Sequence, residues 1–235
     1  SLKEAIMCFI TSTAIRLTRK PLMIDSKQYQ PHNTMLIHVS RFTSWQTRTK
    51  KLVEAYVKEL TEKLENDLPT DKDLIYGDFE RIWNKYYAYV MIGLNAYLPD
   101  NYEDEFLVPK TFDEIKHLLV TSIKDIEIKA INSQTKDILS YPDKSEKKYI
   151  AIGGNRLSRG FTLEGLTINY FIRNTNFADT LLQMGRWFGY RPGYIDCCKL
   201  FSTSDAFEKF DMSTQTIEDL EQKFIEMNRN PENTP

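Results

Sequence analysis

Cysteine is scarce: three residues in 235, of which Cys197 and Cys198 are adjacent. That usage supplies neither a disulfide framework nor a zinc-ligand spacing. Histidine is equally thin, with His32, His38 and His117 scattered, so no metal constellation is expected. No secretory signal and no long apolar run is present, which predicts a cytoplasmic protein without a membrane partner. The pattern GxxxxGK[ST] is absent, and no acidic motif follows a strand in the way that holds magnesium for ATP. Pro142-Asp143 followed by Glu146-Lys147-Lys148 has the letters of a PD…ExK nuclease. That chemistry needs carboxylates converging from adjacent strands on one metal, and a short polar loop with a proline cannot supply them. Ser/His and Cys/His hydrolase arrangements are lacking too, and so are internal repeats. With a net charge of −2, the chain is not a generally basic nucleic-acid coat, although such a total can hide a basic face.

What remains is a globular composition, 41% hydrophobic and 12% aromatic, sufficient for one large α/β domain. The sequence starts without a methionine, as a piece of a longer protein would. Leu2, Ala5, Ile6, Phe9, Ile10, Ala14 and Leu17 keep helical spacing, predicting a first helix that ends near Arg19. Pro21 and Pro31 then mark a linker or arm, giving a helix-and-linker unit over 1–33. TMLIHVS is a short apolar run suited to a buried parallel strand. Ser44 is placed to cap a helix from Trp45, with Leu52, Val53, Tyr56, Val57, Leu60 and Leu64 as its apolar stripe.

A helical insertion is expected over about 67–110. Phe79, Ile82, Trp83, Tyr86, Tyr87, Val90, Met91 and Leu94 lie on one side of a single helix there, read as core in preference to base stacking. Thr111 and Glu114 have capping-box spacing. IEIKAINS alternates as an edge strand does. KYIAIGG, LTINYFI and CCKLFST complete five strands, with Cys197 and Cys198 as small core residues of the last. NFADTLLQMGRWFG is helical between the fourth and fifth. A charged helix with Ile217, Leu220, Phe224 and Met227 on one face forms a tail over 205–235. Strands interleaved with helices predict a mostly parallel α/β sheet sandwiched by helices.

The chemistry concentrates between Tyr149 and Tyr194. Arg156, Arg159, Arg173, Arg186 and Arg191 oppose only Glu164 and Asp179, so this stretch is net positive within an acidic chain. In GGNRLSRGFTLEG, glycines directly after a strand allow a sharp turn and close approach of a phosphate. Arg156, Arg159, Ser158 and Thr162 offer groups suited to phosphate oxygens. Parallel sheets bind ligands at the carboxyl ends of their strands, where this loop emerges. The helix carrying Gln183, Gly185 and Arg186 is expected to deliver a second arginine cluster to the same edge. Arg191 projects where Gly189, Pro192 and Gly193 stop the helix. An arginine so held can stabilise developing phosphoryl charge. Turn-forming glycines with solvated arginines, or arginines capping helix carbonyls and pairing with Glu164 and Asp179, are the structural alternatives.

HVSRF, a strand ending in NS, GGNRLSRGFTLEGL and QMGRWFGYRPGY, in that order, resemble the second RecA-like lobe of superfamily 2 helicases. More closely, the chain resembles the Z-one domain, a helicase-associated family of bacterial proteins often labelled endonucleases. The resemblance implies a RecA-like, P-loop NTPase-type lobe of an ATP-dependent helicase or translocase in a restriction-modification or defence system. It implies DNA as partner more than RNA, and a first lobe outside this sequence that holds ATP with magnesium, none being bound by this chain alone. Arg186 and Arg191 would then be catalytic, and Gly160, Thr162, Glu164, Gln183 and Gly185 would line the nucleotide. Ser40, Arg41, Asn132, Ser133, Arg156, Ser158 and Arg159 would follow the nucleic-acid backbone. Two departures stand out. Thr162 occupies the place of a usual Asp, leaving Glu164 as its substitute. Arg191 follows Arg186 by five residues instead of three, so both can serve one site only if the helix ends at Gly189. The alternative is a non-catalytic scaffold that binds nucleic acid or a partner.

Overall fold

In the computed structural model the described residues are 1–40, 42–70, 74–98, 103–132, 137–143, 145–154, 163–172 and 191–229. They build a five-stranded sheet in the order β2-β3-β1-β4-β5, with every pairing parallel. The strands are β1 (Asn33–His38), β2 (Ile126–Ile131), β3 (Lys148–Gly153), β4 (Leu166–Phe171) and β5 (Lys199–Phe201). The expected α/β class and its parallel sheet are therefore present. TMLIHVS supplies the central strand, buried at every position. IEIKAINS supplies an edge strand, half-exposed over its first four residues.

Alternation sorts the core, except in β4, where a register irregularity between Leu166 and Ile168 sends the two to opposite faces. Met35, Ile37, Ile150, Ile152 and Ile168 point to one face, while Leu36, Ile131, Ala151 and Leu166 form a smaller cluster with Leu163 on the other. The first face is covered by α1 (Leu2–Met23) and α2 (Thr43–Asn66), which presents Val53, Val57, Leu60 and Leu64. Leu52, expected in that stripe, is exposed instead. The helix starts at Thr43 from an N-cap at Phe42, without a side-chain cap bond, so Ser44 is not the cap.

α1 lies inside the molecule, buried without a break from Ala5 to Ile15. It runs on through Pro21 to Met23, past the expected end at Arg19. Proline removes one N–H and crowds the preceding turn, but here it falls in the last turn, and anchors at Arg16 and Arg19 hold that turn in place. Buried hydroxyls on α1 are satisfied locally: Thr11 and Thr13 donate to the carbonyls of Met7 and Phe9, each at 2.9 Å.

α3 (Ile75–Tyr86) and α4 (Ala88–Gly93) form an outer layer in place of one straight helix. The break falls at Tyr87, whose buried phenol donates to the Cys8 carbonyl at 2.8 Å and meets the Ser12 hydroxyl at 2.8 Å. Phe79, Ile82, Trp83, Tyr87 and Met91 are buried, as the core reading requires. Thr111 and Glu114 form both halves of a capping box before α5 (Phe112–Ile115), and α6 (Leu119–Ile123) leads into β2. Cys197 ends a 3₁₀ turn, Ile195–Cys197, and Cys198 precedes β5, so neither lies in the strand as expected. Burial lifts the Cys8 thiol to about 12 and that of Cys198 to about 11, which disfavours the thiolate at both. α7 (Ser204–Arg229) closes the described chain with Leu220 and Phe224 exposed.

Candidate functional site

A parallel sheet has two chemically distinct edges, and the described polar groups divide between them. At the carboxyl edge, β1 passes through Val39 and Ser40 into α2. Gln46, buried at the start of that helix, donates its amide to the Ser40 carbonyl at 2.8 Å and so fixes the strand-to-helix corner. Asn132 follows β2 and is buried beside it. Nearby, Lys50 reaches the Asp137 carboxylate at 3.3 Å, and the same carboxylate accepts the Ala130 N–H at 3.1 Å. An open cleft of about 490 Å³ lies at this edge, walled by Val39, Phe42, Trp45, Leu52, Tyr170 and Ile172.

The amino edge is a dense hydrogen-bonded network with an open cleft beside it. The Arg16 guanidinium donates to the His32 carbonyl at 2.7 Å, the Asn33 side-chain oxygen at 2.6 Å and the Gln30 carbonyl at 2.5 Å. Its plane also sits 4.1 Å from the centre of the Tyr194 ring. Arg19, with no exposed surface, forms a fork with Asp196 at 2.7 and 2.6 Å and donates to the carbonyls of Gly193 and Val108. These two side chains of α1 tie the approach to β1 and the approach to β5 into one unit. Two glycines permit the closure. Gly165 (φ 62°) has the His32 carbonyl 1.7 Å from where a Cβ would stand, and Gly193 (φ 73°) has the Met23 sulfur 2.3 Å from that point.

His32 and Glu164 face each other in this network, Nε2 to Oε2 at 3.8 Å. Because the Lys147 N–H donates to His32 Nδ1 at 3.2 Å, the neutral ring carries its proton on Nε2, toward the carboxylate. Burial pulls the His32 pKa down, with Glu164 opposing it. Asp143 and Glu146 line the same open cleft, of about 450 Å³. Glu146 is held at 2.5 Å by Lys20, which together with the Tyr29 hydroxyl keeps its carboxyl below the ordinary range although burial pushes it upward.

Four candidate residues fall within the described parts of the chain. Ser40 and Asn132 stand at the carboxyl edge, where the sequence places them. Glu164 and Arg191 do not. Glu164 precedes β4, and Arg191 lies in the turn ahead of β5, close enough to Tyr194 and Cys198 to favour their ionised forms. Both belong to the amino edge, so the expectation of a single carboxyl edge receiving every polar group is corrected for this pair. The physical reason is connection length: in a parallel sheet each crossover returns the chain to the amino end before the next strand begins. Glu164 faces His32 and meets the Gln30 amide at 3.4 Å, in a cleft that Asp143 and Glu146 also line. Arg41, Ser133, Arg156, Ser158, Arg159, Gly160, Thr162, Gln183, Gly185 and Arg186 lie outside the described residues. Among the described residues no group of His, Cys, Asp and Glu side chains is arranged to hold a metal ion, and no helix is long and apolar enough to cross a membrane.

Sequence reasoning missed Arg16, Arg19 and His32 as anchors, and Phe42 and Trp45 as cleft walls. Two arginines spaced three apart near the end of an otherwise apolar helix were the available signal for the first pair.

An all-parallel α/β sheet with a densely bonded amino edge and an apolar cleft at its carboxyl edge defines the class of the molecule. The Z1 domain family model matches residues 1–235, and the chain belongs to that family. No curated protein and no solved structure matches it.

Proposed function

We propose that this chain is the second, C-terminal motor lobe of a superfamily 2-type, ATP-dependent DNA helicase or translocase of a bacterial restriction or defence system. Its partner is a first lobe that holds ATP and magnesium. The observation that supports this reading best is the parallel sheet of a Z1 domain with the Gly/Arg-rich segments following β3 and preceding β5. Arg186 is the arginine directed to the triphosphate, and the carboxyl edge at Ser40 and Asn132 faces the nucleic-acid backbone. Arg191, bound into the amino edge, is a weaker candidate than Arg186 for the phosphoryl group.

The test is Arg186→Ala in the parent protein. Nucleic-acid-stimulated ATP hydrolysis falls by on the order of a thousandfold if this side chain is a finger; an unchanged rate removes the role. The acidic lining of the cleft at Glu164 favours a second reading, a non-catalytic lobe that binds nucleic acid or a partner. Under that reading Arg186→Ala leaves hydrolysis intact while binding still weakens as salt rises.

A further inference from the structure

The exposed aromatics at the carboxyl edge are not explained by the core. Phe42 is 55% exposed and Trp45 56% exposed, at the open start of α2. Trp45 and Leu52 are seven residues apart, two turns on one helix face, and together with Phe42 they wall the 490 Å³ cleft beside Ser40. A tryptophan normally hides most of its surface. Here one stands half-exposed near a phenylalanine, and both rings line a cleft with Val39, Tyr170 and Ile172.

The segment that leads into α2 is basic, although Lys50 within it is paired with Asp137 and Glu54. Between Asp25 and Glu54 the sequence contains no carboxylate, while Arg41, Arg48, Lys50 and Lys51 cluster within it. Arg48 lies 5.9 Å from the centre of the Trp45 ring. Neither Arg48 nor Lys51 forms a salt bridge with a carboxylate among the described residues, and the first turn of α2 carries no acid. Aromatic faces flanked by such cations suit a strand with negative phosphates and unpaired bases: bases stack on rings whatever their identity, and the backbone tracks the positive side. A base paired in a duplex keeps its face inside the stack and cannot use the cleft. An acidic peptide would satisfy the cations but not the two planar ring surfaces.

We propose that Trp45 and Phe42 form a stacking platform for one or two unpaired bases of a single-stranded nucleic acid, with Arg48 and Lys51 on its phosphates. This deepens the reading given above by assigning the carboxyl edge a single-strand ligand and specific contact residues. It rests on that reading for the biological setting, though not for the chemistry.

The experiment measures binding of a labelled oligothymidylate and of a blunt duplex of equal length to the chain at low salt. It compares wild type with Trp45→Ala, Trp45→Phe and Arg48→Gln. Trp45→Ala weakens single-strand binding about tenfold or more and changes duplex binding less than about twofold. Trp45→Phe keeps most of the affinity, because the ring is retained. Arg48→Gln lowers the slope of log affinity against log salt by about 0.7, the value of one phosphate contact on a single strand. Because Trp45 is exposed, an unchanged thermal midpoint confirms that the variants fold. Unchanged single-strand affinity in Trp45→Ala overturns the platform, as does an equal loss on duplex. If that happens while Arg186→Ala still abolishes ATP hydrolysis, the motor reading survives alone. Absence of any single-strand binding by wild type overturns the platform and the nucleic-acid part of the reading together.

Discussion

The two edges of the sheet are built from similar residue types used in opposite ways. At the amino edge, Arg19 is buried and fully bonded by Asp196, Gly193 and Val108. At the carboxyl edge, Arg48 is exposed against an exposed indole. A guanidinium removed from water needs its whole fork satisfied, because an uncompensated buried charge costs several kcal/mol. One left in water keeps its charge available to a ligand. Burial and bonding thus separate arginines that hold the fold from those placed to bind.

That contrast can be broken at several points. Asp196→Ala strands the Arg19 charge in the interior and lowers unfolding stability by about 3–5 kcal/mol, measured by denaturant titration. The pair Arg19→Met with Asp196→Leu recovers most of the loss if the cost is that of an orphaned charge. Gly165→Ala forces a side chain into the left-handed region against the His32 carbonyl, for a loss of about 1–3 kcal/mol. Thr111→Ala, which removes one half of the capping box, costs about 1 kcal/mol. At the carboxyl edge Trp45→Ala changes stability by less than about 0.5 kcal/mol. A large destabilisation there would mean that the indole is structural and would erase the distinction.

His32 sharpens the same comparison through pH. Its folded pKa lies below the unfolded value, so the unfolded chain binds the proton more readily. The contribution to stability is therefore fully present above the ordinary histidine pKa and is lost as pH falls through it toward the depressed folded value. The groups facing the ring are Glu164, which opposes this shift, and Arg16, which reinforces it, with Glu146 and Asp143 farther off. Unfolding midpoints measured from pH 7.5 downward drop less steeply in His32→Gln than in wild type.

The parts of the fold that depend on local pattern were legible in the sequence. The run TMLIHVS read as a buried parallel strand, IEIKAINS as a strand nearer the sheet edge, and Thr111-x-x-Glu114 specified its cap. Features decided by distant contacts were not legible. Pro21 reads as a helix breaker unless one knows that Arg16 and Arg19 pin the last turn. Tyr87 reads as one more aromatic on a helix stripe until its hydroxyl meets Ser12 and Cys8. The apolar stripe of α2 was legible as far as Val53, Val57, Leu60 and Leu64. Whether Leu52 and Trp45 turn inward or toward a cleft depends on what packs against that flank. For the candidate site, types and spacing gave the residues, but assignment to an edge needed the path of each crossover, which placed Glu164 and Arg191 at the amino end.

The fork between Arg19 and Asp196 joins residues 177 positions apart. During synthesis the first helix emerges with a cation destined for the interior and no counter-charge yet made. Closing so long a loop is slow, so α1 cannot take its final, dry position until nearly the whole sheet has been translated. Chains stopped before Asp196 therefore hold an unfinished core, with the apolar surface of α1 still on offer to other molecules. The same bond that seals the amino edge acts as a check that the strand order has been completed.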